Sequence, residues 1–166
     1  RSVSFSPDGR SLLYAGERGG SWNLYRTDLA DSEETAFFNA TALTERPVLV
    51  TATDVFQPRF SPDGLEVAYL EERTTLKVLN LATGASRVVL EGGRSYSYAD
   101  GDQWYEWSPD GRWFLLTSLS PGRWSNEVLL VPSSGRGEPV NLTRSGYEDN
   151  VPRWAFKGEG MFWATD

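Results

Sequence analysis

What most constrains this chain is a five-residue phrase that returns on a schedule. FSPDG stands at 5–9 and again at 60–64, and WSPDG stands at 107–111. Phe5 and Phe60 are 55 residues apart, and Phe60 and Trp107 are 47 apart. A further 47 residues reach Trp154, where WAFKGEG keeps the aromatic and a glycine, Gly158, but not the proline and aspartate. Ser-Pro-Asp-Gly suits a tight turn, because proline presets φ, aspartate bonds nearby backbone and glycine accepts the left-handed conformation that ends the turn. Flanked by apolar runs, it joins two strands as a hairpin. A fixed period of this size restricts the fold to a stack of like units.

Each unit carries four strand signals in the same order. The second reads QPRFS, EVAYLEE, TLKVLNL and SRVVLEG; the third reads WYEWS, WFLLTSL, EVLLV and PVNLT; the first reads VSFS, SLLYAGE, WNLYRTDL and RPVLVT. Aligned on the aromatic, the seventh residue onward is Leu12, Val67, Phe114 or Met161, the eighth Leu13, Ala68, Leu115 or Phe162, and the ninth Tyr14, Tyr69, Leu116 or Trp163. Successive strand residues point to opposite faces, so this strand is apolar on both. A sheet with one wet face would alternate. Sheets stacked face to face around an axis bury both faces, which is the propeller arrangement. The expected fold is therefore all-β, a β-propeller fragment of about three and a half four-stranded antiparallel blades. The blades are expected over 1–51, 52–95 and 96–146, with the first hairpin of the next over 147–166. Propellers close with about four to eight blades, so the chain reads as a piece of a larger protein. The segment 30–47 is longer than its counterparts ATGAS and PSSGRGE and is expected to form an extended strand pair or a protruding loop.

Chemistry is narrowed by what is missing. The chain has no histidine and no cysteine, which removes Ser-His-Asp and Cys-His machinery and the usual zinc ligands. The three Ser-Pro-Asp-Gly serines read as turn residues. Asp100, Asp102 and Glu106 could offer oxygen ligands to calcium, but their spacing completes no calcium loop. Asp102 has counterparts in Asp54 and Asp149, which favours a repeated blade-edge hydrogen bond. Glu71 with Glu72, and Glu33 with Glu34, are adjacent and cannot flank one bond, so they read as solvated charge. Gly19-Gly20 and Gly92-Gly93 look like turns rather than a phosphate loop. No catalytic, cofactor-binding or metal-binding residue is expected. A net charge of −7 argues against a nucleic-acid partner. No apolar run reaches the roughly 18 residues of a membrane span. Absence of cysteine suits either the cytoplasm or a bacterial periplasm.

The aromatics Tyr96, Tyr98, Trp104, Tyr105, Trp107, Trp113 and Trp124 form the densest candidate binding surface. Trp107 holds the repeated aromatic position and reads as core. Trp104 and Tyr105 have no repeated counterpart. They either face a ligand or pack between blades.

PRFSPDGLEVAYL and WSPDGRWFLL resemble the Tol-type and tricorn-type propeller repeat, a divergent relative of WD repeats. With GSWNLYR, LEERTTLKVLNLATG, YSYADGDQWYEWSPDG and GEPVNLTRSGYEDNVPRWAFKGEGMFWATD, the chain looks like the N-terminal propeller of bacterial tricorn-like serine peptidases over essentially its whole length. The turn itself also occurs in prolyl-oligopeptidase relatives. The resemblance implies a non-catalytic propeller that guides or filters peptides for a catalytic domain elsewhere in the same parent chain. It implies a bacterial periplasmic or other extracytoplasmic setting, with the cytoplasm as the alternative. No position matches the family's catalytic portion, so no catalytic residue is carried over. Two other readings stay open: a Tol-type periplasmic propeller that binds protein partners without peptidase activity, and a carbohydrate-binding or lyase-type propeller using the aromatics near Trp104.

Overall fold

The computed structural model describes residues 2–93, 103–119, 122 and 124–166. Strands β1 (Val3–Phe5), β2 (Ser11–Arg18), β3 (Ser21–Leu29) and β4 (Leu43–Leu49) form the first sheet. The second holds β5 (Val55–Phe60), β6 (Glu66–Glu71), β7 (Thr75–Asn80) and β8 (Ser86–Leu90). The third holds β9 (Tyr105–Trp107), β10 (Trp113–Leu119), β11 (Asn126–Pro132) and β12 (Val140–Asn141), and a hairpin of β13 (Asp149–Ala155) and β14 (Gly160–Thr165) follows. Within each sheet the strands meander in chain order with antiparallel pairing. The segment 30–47 forms a single 3-10 turn at Phe37–Asn39 and then enters β4. Phe37 packs edge-on against Phe5 at 5.6 Å, and Glu34 ties the loop by accepting from the Thr41 amide and hydroxyl.

The repeated phrase builds one hydrogen-bonded knot. In the second sheet the Ser61 hydroxyl donates to Asp63 Oδ1 at 2.6 Å and accepts from the Glu66 amide at 2.9 Å. Asp63 Oδ1 also accepts from the Leu65 amide at 3.0 Å, and the Gly64 amide closes on the Ser61 carbonyl at 2.9 Å. Ser6 with Asp8 and Ser108 with Asp110 repeat the pattern. Gly64 takes φ +73°, where a β-carbon is costly. It also has a second job: a β-carbon there would sit 3.3 Å from Cδ of Pro7 in the preceding turn. The contact recurs from Gly111 to Pro62 at 3.7 Å and from Gly158 to Pro109 at 3.4 Å. Each turn's proline thus rests on the next turn's glycine, and the hairpins form a continuous ladder. The fourth turn keeps the glycine because the third turn's proline lies over it, although Phe156 and Lys157 bend into positive φ.

Both faces of β6 are buried, as the alternation-free pattern predicts. Val67 and Tyr69 join Leu13, Ala15, Leu24, Val55 and Phe60 between the first two sheets. Ala68 and Leu70 join Leu76, Val78, Tyr105, Trp107, Phe114, Leu116 and Leu129 between the second and third. At roughly 1.5–3 kcal/mol for each large side chain fully buried, these two layers dominate the stability of the stack. The outward faces differ. Leu12 and Tyr14 of β2 are half-buried, and Phe162 of β14 is 58% exposed, since no described sheet covers them.

The sequence period reappears as a bonding period. Trp107 Nε1 donates to the Arg59 carbonyl at 3.4 Å, Trp104 Nε1 to the Pro152 carbonyl at 2.8 Å, and the Trp154 amide to Glu106 Oε2 at 3.2 Å; each pair is 48 residues apart. The second sheet, the third sheet and the hairpin are therefore stitched together at their first strands, and the Phe60 amide donates to Ser4 Oγ at 3.2 Å to join β5 to β1.

Candidate functional site

Of the two aromatics singled out by sequence, Tyr105 is 1% exposed. Its hydroxyl donates to the carbonyls of Gln57 and Ala68, and its ring meets Phe114 edge-on at 6.0 Å. It packs between the second and third sheets. Its buried hydroxyl needs a partner, and the carbonyl that the β5 bulge turns out of its ladder supplies one. Trp104 is half-buried just before β9, with Arg59 of β5 5.0 Å and Arg153 of β13 3.9 Å from its ring centre. Glu106 accepts from the Trp154 amide and lies 3.7 Å from the Arg153 guanidinium. Tyr96, Tyr98, Asp100 and Asp102 lie outside the described residues.

Several other carboxylates are engaged structurally. Asp54 accepts from the Trp22 amide at 2.9 Å, linking the connection after β4 back to β3. Asp149 is 1% exposed; burial pushes its carboxyl up, but hydrogen bonds from Ser145, Thr165 and Thr143 outweigh it and hold the group below its usual range. Glu71 pairs with Lys77 at 2.9 Å and raises the lysine's pKa. Ser6, Ser61 and Ser108 each donate to their own turn's aspartate, which also accepts from a turn amide, so the pairs close the turn. Among the described residues no group of three or more potential metal ligands converges.

Two clefts stand apart from these structural contacts. An open polar cleft of about 530 Å³ lies between the first two sheets, at the end opposite the repeated turns. Ser21, Thr53, Asp54, Phe56, Glu72 and Arg73 line it. Glu72 and Arg73 form the tip of the β6–β7 hairpin at φ +48° and +67°, and Arg73 stacks over Phe56 at 4.4 Å. The corresponding hairpin of the first sheet puts Gly19 and Gly20 at positive φ. Charged residues held where glycine is easier mark a place where side chains matter. The signal was in the sequence, as EERTT against ERGGS, but reading it requires knowing that both central positions need positive φ. A second cavity, about 280 Å³, lies beside the third and fourth turns. Trp113, Leu130, Trp154 and Met161 wall it, with Asp110, Arg112 and Lys157 also lining it. Asp110 is held down to about 2 by the Ser108 hydroxyl, the Arg112 amide and the Arg112 guanidinium.

Four-stranded antiparallel meanders, stacked face to face and linked at one-repeat intervals, define a β-propeller-type chain. Its relatives make the class more specific: the sheets are of the kind found in TolB and in peptidase propellers. The Tol-Pal system protein TolB of Francisella tularensis subsp. holarctica (strain OSU18) is 31% identical over 87 residues, covering 49% of this chain and 18% of that protein. The uncharacterized peptidase YuxL of Bacillus subtilis (strain 168) is 27% identical over 116 residues, 68% of this chain and 17% of that protein. The chain thus matches under a fifth of the length of these curated relatives. Among solved structures, the tricorn protease superposes with a TM-score of 0.71 at 14% identity, covering 99% of this chain and 15% of that one. No protein-family model matches the sequence.

Proposed function

We propose that this chain is the non-catalytic propeller portion of a tricorn-like serine peptidase, guiding or filtering peptides for a catalytic domain elsewhere in its parent polypeptide. The observation that carries the reading is the likeness to the tricorn protease, which runs across 99% of the chain and so takes in every described sheet. The YuxL match, over 68% of the chain, supports the same class. An open polar cleft lined by Phe56 with Arg73 stacked over it suits extended polypeptide, which presents backbone polar groups and varied side chains at once. The setting proposed is the bacterial periplasm or another extracytoplasmic space. A second reading, a Tol-type propeller that binds protein partners and carries no peptidase, is favoured by the 31% identity to TolB.

The test uses the natural polypeptide that contains these residues. It is treated with a fluorophosphonate that labels reactive serines, the label is located by mass spectrometry, and hydrolysis of fluorogenic peptides is measured in parallel. The proposal expects peptide hydrolysis and a labelled serine outside residues 1–166. Neither hydrolysis nor labelling would transfer the conclusion to the Tol-type reading, and a labelled serine within 1–166 would overturn the non-catalytic assignment.

A further inference from the structure

The outward side of the first sheet is an apolar face shaped for a particular neighbour. Val3 lies opposite Tyr14 and Phe5 opposite Leu12, which puts all four on one side of β1 and β2. Val3 and Phe5 are 60% and 56% exposed, and Leu12 and Tyr14 are half-buried. The same places in the later sheets are closed. Phe60 and Trp107, which repeat Phe5, are 8% and 7% exposed, and the preceding sheet covers them. The insert after β3 does not supply that cover to Phe5: Phe37 meets its ring edge-on at 5.6 Å, and Phe38 is itself 92% exposed. A contiguous apolar face of this kind marks a contact surface, whereas single exposed apolar residues do not.

The ladder of turns specifies what fits there. Gly64, Gly111 and Gly158 each lie under the proline of the turn before, Pro7, Pro62 and Pro109. Gly9 has the same conformation, φ +70° against +73° at Gly64 and +71° at Gly111, but a β-carbon on it would meet nothing within 4 Å. It is a rung whose proline comes from another sheet. The β13–β14 hairpin cannot provide that proline. At the equivalent place its turn holds Phe156 at φ +50°, a conformation closed to proline, whose ring fixes φ near −65°. The Phe156 ring turns back on its own hairpin instead, with Cδ2 3.2 Å from where a β-carbon on Gly160 would sit.

We propose that the outward face of the first sheet is an interface for a further antiparallel sheet of the natural polypeptide, one whose proline turn lies over Gly9. The β13–β14 unit is excluded from that place, both in the same copy and in a second copy stacked head to tail. Three sheets, the unit of the hairpin and the covering sheet then make a ring of at least five. The proposal goes beyond the peptide-guiding reading and does not depend on it.

The test uses the natural polypeptide with Phe5 replaced by the photo-crosslinker p-benzoylphenylalanine, prepared as a mixture of isotopically heavy and light copies. Mass spectrometry of the irradiated mixture shows which segment is joined to position 5 and whether it belongs to the same copy. The expected product is a link within one copy to a segment outside residues 1–166 that carries a Pro-x-Gly turn. A link between copies, a link to residues 147–166, or a covering segment without a proline turn would overturn the proposal. Hydroxyl-radical footprinting of the unsubstituted polypeptide gives a second measurement. Leu65, 64% exposed on the second sheet, whose neighbours on both sides are described, serves as the solvent reference. Phe60 is 8% exposed in its covered place against 56% for Phe5, so a covered Phe5 should be oxidised about seven-fold more slowly than an open one. Normalised for intrinsic reactivity, rates at Phe5 and Leu65 that are alike would show an open face and overturn the interface. Neither measurement reads peptidase activity, so the interface and the peptide-guiding reading stand or fall separately.

Discussion

Four glycines provide a controlled experiment on how the sheets are stacked. Gly84, Gly111, Gly64 and Gly135 take φ of +72°, +71°, +73° and +70°, so alanine at each meets the same backbone penalty, about 1 kcal/mol. Their surroundings differ in graded steps. An added β-carbon meets nothing within 4 Å at Gly84, and Pro62 Cδ at an ordinary 3.7 Å at Gly111. At Gly64 it meets Pro7 Cδ at 3.3 Å, and at Gly135 it overlaps the backbone oxygen of Val88. Gly84→Ala and Gly111→Ala should therefore each cost about 1 kcal/mol and agree within about 0.5 kcal/mol. Gly64→Ala should cost somewhat more, because the Pro7 ring has to give by a few tenths of an ångström. Gly135→Ala cannot be accommodated by a side-chain shift. The turn docks on β8, where Arg87 Nε donates to the Ser133 carbonyl at 3.0 Å, so relief has to separate the third sheet from the second. Overpacking of that kind adds about 1–3 kcal/mol, for a total of about 2–4 kcal/mol. Urea unfolding followed by tryptophan fluorescence and by circular dichroism, with coincident transitions as the two-state check, gives the four values. Equal costs at Gly135 and Gly84 would refute the close approach of the turn to β8. A costless Gly84→Ala would refute the backbone argument for all four.

Two further outcomes concern the hairpin turns. Glu72→Gly should raise stability by about 0.5–1 kcal/mol in urea unfolding, because glycine relieves the positive φ at the β6–β7 tip; a loss of stability would show that the glutamate side chain compensates for its backbone. The turn aspartates Asp8, Asp63 and Asp110 are held below the usual 3.8 chiefly by the hydroxyls of Ser6, Ser61 and Ser108, Asp110 reaching about 2. A folded pKa below the unfolded one contributes stability at neutral pH that is lost as pH falls from near 3.8 toward about 2. Asp110→Asn should accordingly lower stability at pH 7 and flatten the acid slope in that window, and an unchanged slope would contradict the assignment.

The functional reading depends on where the repeat is broken rather than where it is kept. Serine, proline, aspartate and glycine of the turns are occupied with one another and with the adjacent turn, so they carry structure. Glu72 with Arg73, and Trp104, depart from their counterparts, and they contribute side chains to a cleft or to arginine–ring contacts. Gln57 and Val151 bend the first strands of their sheets at equivalent positive-φ bulges, with Trp104 at the intervening position of the repeat.

Local chemistry and periodicity were enough to specify much of this protein. A proline, an aspartate and a glycine in fixed order allow essentially one turn, and the two-faced apolar strand of β6 allows only burial between two sheets, so hairpins, sheet order and the core role of Trp107 were legible residue by residue. Neighbour relations across sheets were not. That Tyr105 turns its hydroxyl to the Gln57 and Ala68 carbonyls while adjacent Trp104 meets two arginines depends on groups 37 to 49 residues away in the chain, which the alternation of side chains along a strand places on opposite sides. The same holds for the glycines. Sequence identifies the left-handed positions, but only the stacked structure distinguishes Gly84, which faces open space, from Gly135, which faces a backbone carbonyl, because steric room is a property of the neighbour and not of the turn.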